Sequence, residues 1–198
     1  MTPQFVGLQN DPAAAPGVEH DEIAALPSNP GQVLVTCVDY CPSRVVEQQI
    51  DDLASFLDCH RPEWVTVRWI NVDGLSDMGV VHALATKYEL HPLAIEDLLD
   101  LNDRPKVEPY GGEDTALRAR MFIVARTLEL MEGRLASRQI SLFLGHNTVL
   151  TFREAPSSVW DHVQQRLRTK GSRLRNHDAS FLVHSLLDAI VDRCFPIL

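Results

Sequence analysis

Beyond Gln32 the chain alternates between apolar runs of strand length and segments whose apolar residues recur at helical spacing. Val33-Leu34-Val35-Thr36-Cys37-Val38 is β-branched and apolar, which predicts a strand, and Arg44 to Gln48 fits beside it as an edge strand. Ile50, Leu53, Phe56 and Leu57 then follow a helical period. Val65 to Val72 reads as a third strand, stopped by Asp73-Gly74. Ser76 or Asp77 caps the next helix, which turns Val80, Val81, Leu84 and Tyr88 towards the core. His91 to Asp100 is a short amphipathic helix, with Pro92 at a tolerated first-turn position and Leu93, Ile95, Leu98 and Leu99 as its apolar face.

Strands come next in succession: Lys106 to Tyr110, Met121 to Leu130, Gln139 to Leu144 and Thr148 to Phe152. Gly133 and Gly145-His146-Asn147 supply turns, so the last three strands are expected to form an antiparallel meander. Met121 to Ala125 is apolar on both faces, which places that strand centrally, with helices above and below. Val159 to Arg168 is a helix with Val159, Val163 and Leu167 inward, and the basic residues Arg166, Arg168, Lys170, Arg173 and Arg175 read as a solvated connection. From Asp178 to Leu198 a last helix is apolar nearly all round, leaving His184, Ser185, Asp188 and Asp192 as a narrow polar stripe, and it needs cover on nearly all sides.

These elements predict an α/β protein: an α/β/α sandwich around a mixed, largely antiparallel sheet, followed by the start of a long helix. The expected divisions are a mobile tail over 1–30, the sandwich over 31–176 and a truncated long helix over 177–198. The tail reading rests on composition, because five of the twelve prolines fall in it.

The totals narrow the function. At 198 residues the chain holds one well-cored domain, and a net charge of −9 excludes nucleic acid as a partner while suiting cations. Four cysteines lie without a Cys-x-x-Cys pair, and no signal peptide precedes them, so they read as free thiols; Cys37 and Cys41 share one strand face but have no third metal ligand nearby. No apolar run approaches the roughly 18 to 20 residues of a membrane span, so the chain is expected to be soluble. Gly-x-Ser-x-Gly, P-loop and His-Glu-x-x-His patterns are absent from the sequence, and no enzyme activity is expected.

One cluster carries chemistry. Glu96, Asp97, Asp100 and Asp103 crowd into eight residues, with only Arg104 and Lys106 close behind. Such a group repels itself unless it is solvated, paired or holding a cation, and a solvated helix face and a cation site are both open on charge pattern alone. Glu96 and Asp97 point about 100° apart on a helix, which favours two neighbouring ions, or one ion and one structural contact, over chelation by both. Asp188 and Asp192, one turn apart, share a face.

Five blocks, in order, resemble the cytoplasmic domain of the CorA family of magnesium transporters: Trp69-Ile70-Asn71-Val72-Asp73-Gly74; His91-Pro92-Leu93-Ala94-Ile95-Glu96-Asp97-Leu98-Leu99; Arg104-Pro105-Lys106-Val107-Glu108; Gln139 to Leu144; and Leu186 to Asp192. The resemblance covers 65–198 well and 32–64 loosely. It implies a magnesium-sensing and gating domain on the cytoplasmic face of the inner membrane, part of a homopentameric divalent-cation channel for Mg2+, with Co2+ and Ni2+ as further candidates. Asp97 matches the family carboxylate of an intersubunit cation site, and Glu96 and Asp188 match acids of a second, adjacent site. The family's stalk helix and two membrane spans would follow beyond Leu198, so a fragment is expected, binding regulatory Mg2+ weakly. The alternatives are the cytoplasmic domain of a ZntB-like zinc transporter and a free-standing regulatory protein.

Overall fold

The computed structural model describes residues 33–112, 117–131 and 134–195. The tail expected over 1–30 and the turn at Gly133 lie outside the described residues.

Among the described residues seven strands form one sheet in the order β2-β1-β3-β7-β6-β5-β4: β1 Leu34–Tyr40, β2 Val45–Gln49, β3 Val67–Asp73, β4 Lys106–Tyr110, β5 Arg120–Met131, β6 Arg134–Leu144 and β7 Thr148–Arg153. All neighbours are antiparallel except β3 and β7, which run parallel. The sheet is therefore mixed and largely antiparallel, and β5, β6 and β7 form the expected meander. Three helices cover one face: α1 Leu53–Asp58, α2 Met78–Tyr88 and α3 Pro92–Leu99. Their Leu57, Val81, Leu84, Ala94, Ile95 and Leu98 pack on Val35, Cys37, Ile70, Val72, Leu150 and Phe152. The other face carries α4 Asp161–Arg168 and α5 Ala179–Cys194, whose Val163, Leu182, Val183 and Leu186 pack on Trp69, Ile140, Leu142 and Val149. Because side chains alternate across a strand, one sheet feeds both cores, and the result is a three-layer α/β/α sandwich.

The helix starts follow local chemistry. Asp52, Asp77 and Asp178 accept from backbone N–H groups at the starts of α1, α2 and α5. At the end of α4 the cap comes from further along the chain: Arg175, only 4% exposed, donates to the carbonyls of Leu167 and Arg168. Arg175 is thus not part of a solvated basic connection, as its charge suggested; it satisfies carbonyls that the helix leaves orphaned.

Three further expectations change. Phe122, Ile123 and Val124 are buried, but β5 is next to the edge, where β4 flanks it, and its Met121 is 42% exposed. The centre belongs to β7, with β3 beside it, and every residue of both is buried. In α3 the inward face is Ala94, Ile95 and Leu98, while Leu93 is 55% exposed. In α5, Ser185 is buried, leaving His184, Asp188 and Asp192 outward together with Val191 and Phe195.

β3 and β7 are joined by side chains as well as backbone. Trp69 Nε1 donates to Thr151 Oγ1 at 2.9 Å, Thr151 Oγ1 to Asn71 Oδ1 at 2.8 Å, and Asn71 Nδ2 to Asp73 Oδ2 at 3.0 Å. Asp73 then takes two bonds from the Arg153 guanidinium, at 2.5 and 2.8 Å. Asp39 and Arg68 make a second buried fork between β1 and β3, at 2.8 and 2.7 Å. Bidentate geometry of this kind is what makes a buried charge pair tolerable.

Asp73→Ala leaves the Arg153 cation buried without its partner and is expected to cost about 3–5 kcal/mol of stability, measured by urea denaturation. In the wild type, Trp69, 1% exposed, should resist iodide quenching until the unfolding transition.

Candidate metal-ion site

The acidic segment is built by α3 and the edge strand β4. His91 caps α3, its Nδ1 accepting from Leu93 N at 3.2 Å, and Pro92 sets the first turn. With Ala94, Ile95 and Leu98 inward, Glu96 points out with Leu93, and Asp97 sits at the flank beside β4. On β4, Lys106, Glu108 and Tyr110 alternate towards the α3 layer, while Val107 and Pro109 are exposed. Proline is tolerated there because β4 is an edge strand whose partner lies on one side only.

Asp97 therefore meets Lys106. The ammonium stands 2.8 Å from Asp97 Oδ2, 2.6 Å from Asp103 Oδ2 and 3.6 Å from Glu108 Oε2. The Tyr110 hydroxyl lies 2.8 Å from Glu108 Oε2 and 3.2 Å from Asp97 Oδ2, and its ring stacks on His91. Burial alone would lower the Lys106 pKa, but the contacts with Asp103 and Asp97 outweigh it and hold the ammonium above its ordinary value. Burial first, then the bonds to Glu108 and Asp97, push the Tyr110 phenol up, so it stays protonated at neutral pH.

The connection from α3 to β4 is held from below. Arg126 on β5 donates from Nη1 to the carbonyls of Leu101, at 3.0 Å, and Asp103, at 3.2 Å. Gln139 on β6, 2% exposed, donates from Nε2 to the carbonyl of Asp97 at 3.3 Å.

Glu96 and Asp188 differ from Asp97. Both are exposed, and neither side chain makes a hydrogen bond or ion pair among the described residues. Asp188 lies on α5, whereas Glu96 and Asp97 lie on α3, and the sheet separates the two layers. The structure thus brings Glu96 and Asp97 onto one short helix and leaves Asp188 in the opposite layer. Among the described residues no group of three or more His, Cys, Asp and Glu side chains is arranged to hold a metal ion. The carboxylates near Lys106 are gathered about the ammonium instead. Their chemistry does fit a hard divalent cation, since carboxylate oxygens and retained water are what magnesium takes, and Asp97 Oδ1 forms no hydrogen bond among the described residues.

The cysteines are dispersed. Cys37 is buried, and burial, followed by the nearby Asp39 charge, pushes its thiol well above the ordinary value; Cys41 falls just after β1. No described helix is long and apolar enough to cross a membrane.

Charge pattern alone makes Lys106 a loose compensating charge and does not single out Tyr110, Arg126 or Gln139. The signal for Lys106 and Tyr110 was present, because alternate positions on a strand share a face with Glu108. The contacts of Arg126 and Gln139 depend on long-range register and had no local signal.

The fold is similar to those of solved structures, two of them cytoplasmic or soluble domains. Against the cytoplasmic domain of ZntB from Vibrio parahaemolyticus the TM-score is 0.61 at 12% identity, covering 84% of this chain and 61% of that one. Against the soluble domain of CorA from Methanocaldococcus jannaschii it is 0.56 at 19% identity, covering 84% and 58%. These likenesses define the class by its fold, the α/β/α sandwich that those two domains share. Residues 64–198 match the family model described as CorA-like Mg2+ transporter protein, and the chain belongs to that family. It is 36% identical over 133 residues to the cobalt/magnesium transport protein CorA of Thermotoga maritima, covering 67% of this chain and 36% of that protein. The chain thus spans just over a third of the length of this relative.

Arg126→Ala should free the turn between α3 and β4. Amide exchange at Asn102 to Lys106 is expected to quicken, with a loss of about 1–2 kcal/mol from the two carbonyl contacts. Unchanged exchange there would mean that Arg126 does not hold the turn.

Proposed function

We propose that this chain is the magnesium-sensing and gating domain of a CorA-like divalent-cation channel, lying on the cytoplasmic side of the inner membrane in a homopentamer. Asp97, Glu96 and Asp188 are the acids to which this reading assigns the ion. The observation that supports it is that Glu96 on α3 and Asp188 on α5 are exposed in opposite helical layers with no side-chain partner among the described residues, so both are open to a second copy of the chain, while Asp97 lies beside Glu96 at the flank of α3. A bound divalent cation supplies the positive charge that offsets carboxylates of adjacent copies. Without it, facing carboxylates repel by about 1–4 kcal/mol per pair at 4 Å, for effective dielectrics between bulk water and a protein surface. Repeated around a ring, that repulsion is large enough to tip a two-state equilibrium towards the open form. Because the acids favour the closed arrangement only when neutralised, plentiful cytosolic magnesium shuts transport. The chain's part is recognition and coupling, with no bond made or broken.

A zinc-transporting reading draws on the structural likeness to the ZntB domain. The oxygen-only character of Glu96, Asp97 and Asp188 favours the harder magnesium ion.

The test is protease protection of the membrane-embedded channel carrying this domain, across a magnesium titration. Asp97→Asn should keep the fold and move the midpoint of protection to higher magnesium by about three- to tenfold, a loss of roughly 0.7–1.4 kcal/mol. Identical midpoints would leave Asp97 as part of a solvated acidic helix. A midpoint set by micromolar zinc and indifferent to magnesium would favour the zinc reading.

A further inference from the structure

We infer that Lys106 is a tethered counter-ion that competes with a divalent cation for Asp97, so that the chain itself sets how tightly this acid takes the ion. The inference concerns regulation of the site just proposed and rests on that reading of Asp97.

Three observations carry it. The ammonium contacts Asp97 Oδ2 at 2.8 Å, so the acid already holds a monovalent cation. Asp103 lies closer still, at 2.6 Å, and Glu108 is within 3.6 Å. Lys106 therefore has a second berth: it can release Asp97 while keeping Asp103, and it need not enter water unpaired. The Lys106 side chain is 23% exposed, and its long stem allows the shift that a packed core residue lacks. The neighbouring Tyr110 hydroxyl, which bonds Glu108 at 2.8 Å, keeps that carboxylate turned to the cluster as the lysine moves. The exchange is one of counter-ions. An incoming divalent cation meets the +1 charge of the ammonium, and that repulsion weakens binding until the lysine moves aside.

A merely structural salt bridge makes the opposite prediction. If Lys106 only tied α3 to β4, removing it would loosen the turn and leave magnesium affinity unchanged or weaker.

The experiment is a magnesium chloride titration of this 198-residue chain, followed by the amide resonances of α3 and β4. Lys106→Met keeps the apolar stem and removes the charge; it should tighten apparent binding about tenfold. Arg104→Met removes an exposed charge from the same segment and should change affinity by less than about twofold. In the Asp97→Asn background, Lys106→Met should no longer tighten binding. Lys106→Arg should weaken it, because a guanidinium grips a carboxylate through two donors and is held in place. Affinity of Lys106→Met at or below wild type overturns the proposal, and so does tightening that persists without Asp97. Should Lys106→Met fail to fold, Lys106→Arg binding as tightly as wild type overturns it alone. A confirmed exchange here, alongside identical protection midpoints for Asp97→Asn in the channel, would retire the gating role and leave the counter-ion in place.

Discussion

The parallel pairing of β3 with β7 is the constraint on which the rest depends. An N-terminal group, β2-β1-β3, and a meander, β7-β6-β5-β4, meet in the sheet at that one junction. It unites segments about 80 residues apart in sequence, through the row from Trp69 to Thr151, Asn71, Asp73 and Arg153. Arg153 carries the row further: its guanidinium stands 4.7 Å from the Trp160 ring and donates to the Ser157 carbonyl at 2.7 Å, fixing the approach to α4. Loop-closure entropy opposes so distant a pairing, and a buried bidentate charge pair with satisfied neighbours offsets it only in the correct register. A slip of one residue would put Asp73 and Arg153 on opposite faces.

With the two halves joined, the position of the acids follows. The meander holds β4 at the edge, and the strand's polar row of Lys106, Glu108 and Tyr110 turns towards α3. The helix packs Ala94, Ile95 and Leu98 on the core and leaves Asp97 beside that row and Glu96 clear of it. Two adjacent carboxylates thereby acquire different electrostatic surroundings. Glu96 is solvated, whereas Asp97 is half-buried beside an ammonium and a phenol. The same sandwich places Asp188 on its far side, so within one chain the architecture keeps that acid apart from Glu96 and Asp97.

Much of this was legible in the residues. β-branched runs, helical spacing and Asp caps produce local structure whose energetics are settled within a few positions, and strands, helices and the α/β/α class followed from them. The family blocks from Trp69 onward served likewise, because the match over 64–198 lies where the motifs were read. Apolar composition does not say which strand lies in the middle; sheet order does, and it leaves Met121 exposed. Leu93 is exposed for a related reason: a helical period marks an apolar stripe, but the packing of Ala94 against the sheet decides how that stripe is rotated.

The partners of charged groups were beyond local reading. Arg175 looked like one member of a solvated run, yet it is buried as a cap for the carbonyls of Leu167 and Arg168. Lys106 looked like loose compensation, yet it lies among carboxylates brought from α3, its following turn and β4. The amino-acid order by itself determined the elements, their class and the clustering of acids on and after α3. Only the tertiary structure decided which acid is paired and which is free, because Coulomb energies depend on distance and burial, and long-range register sets both.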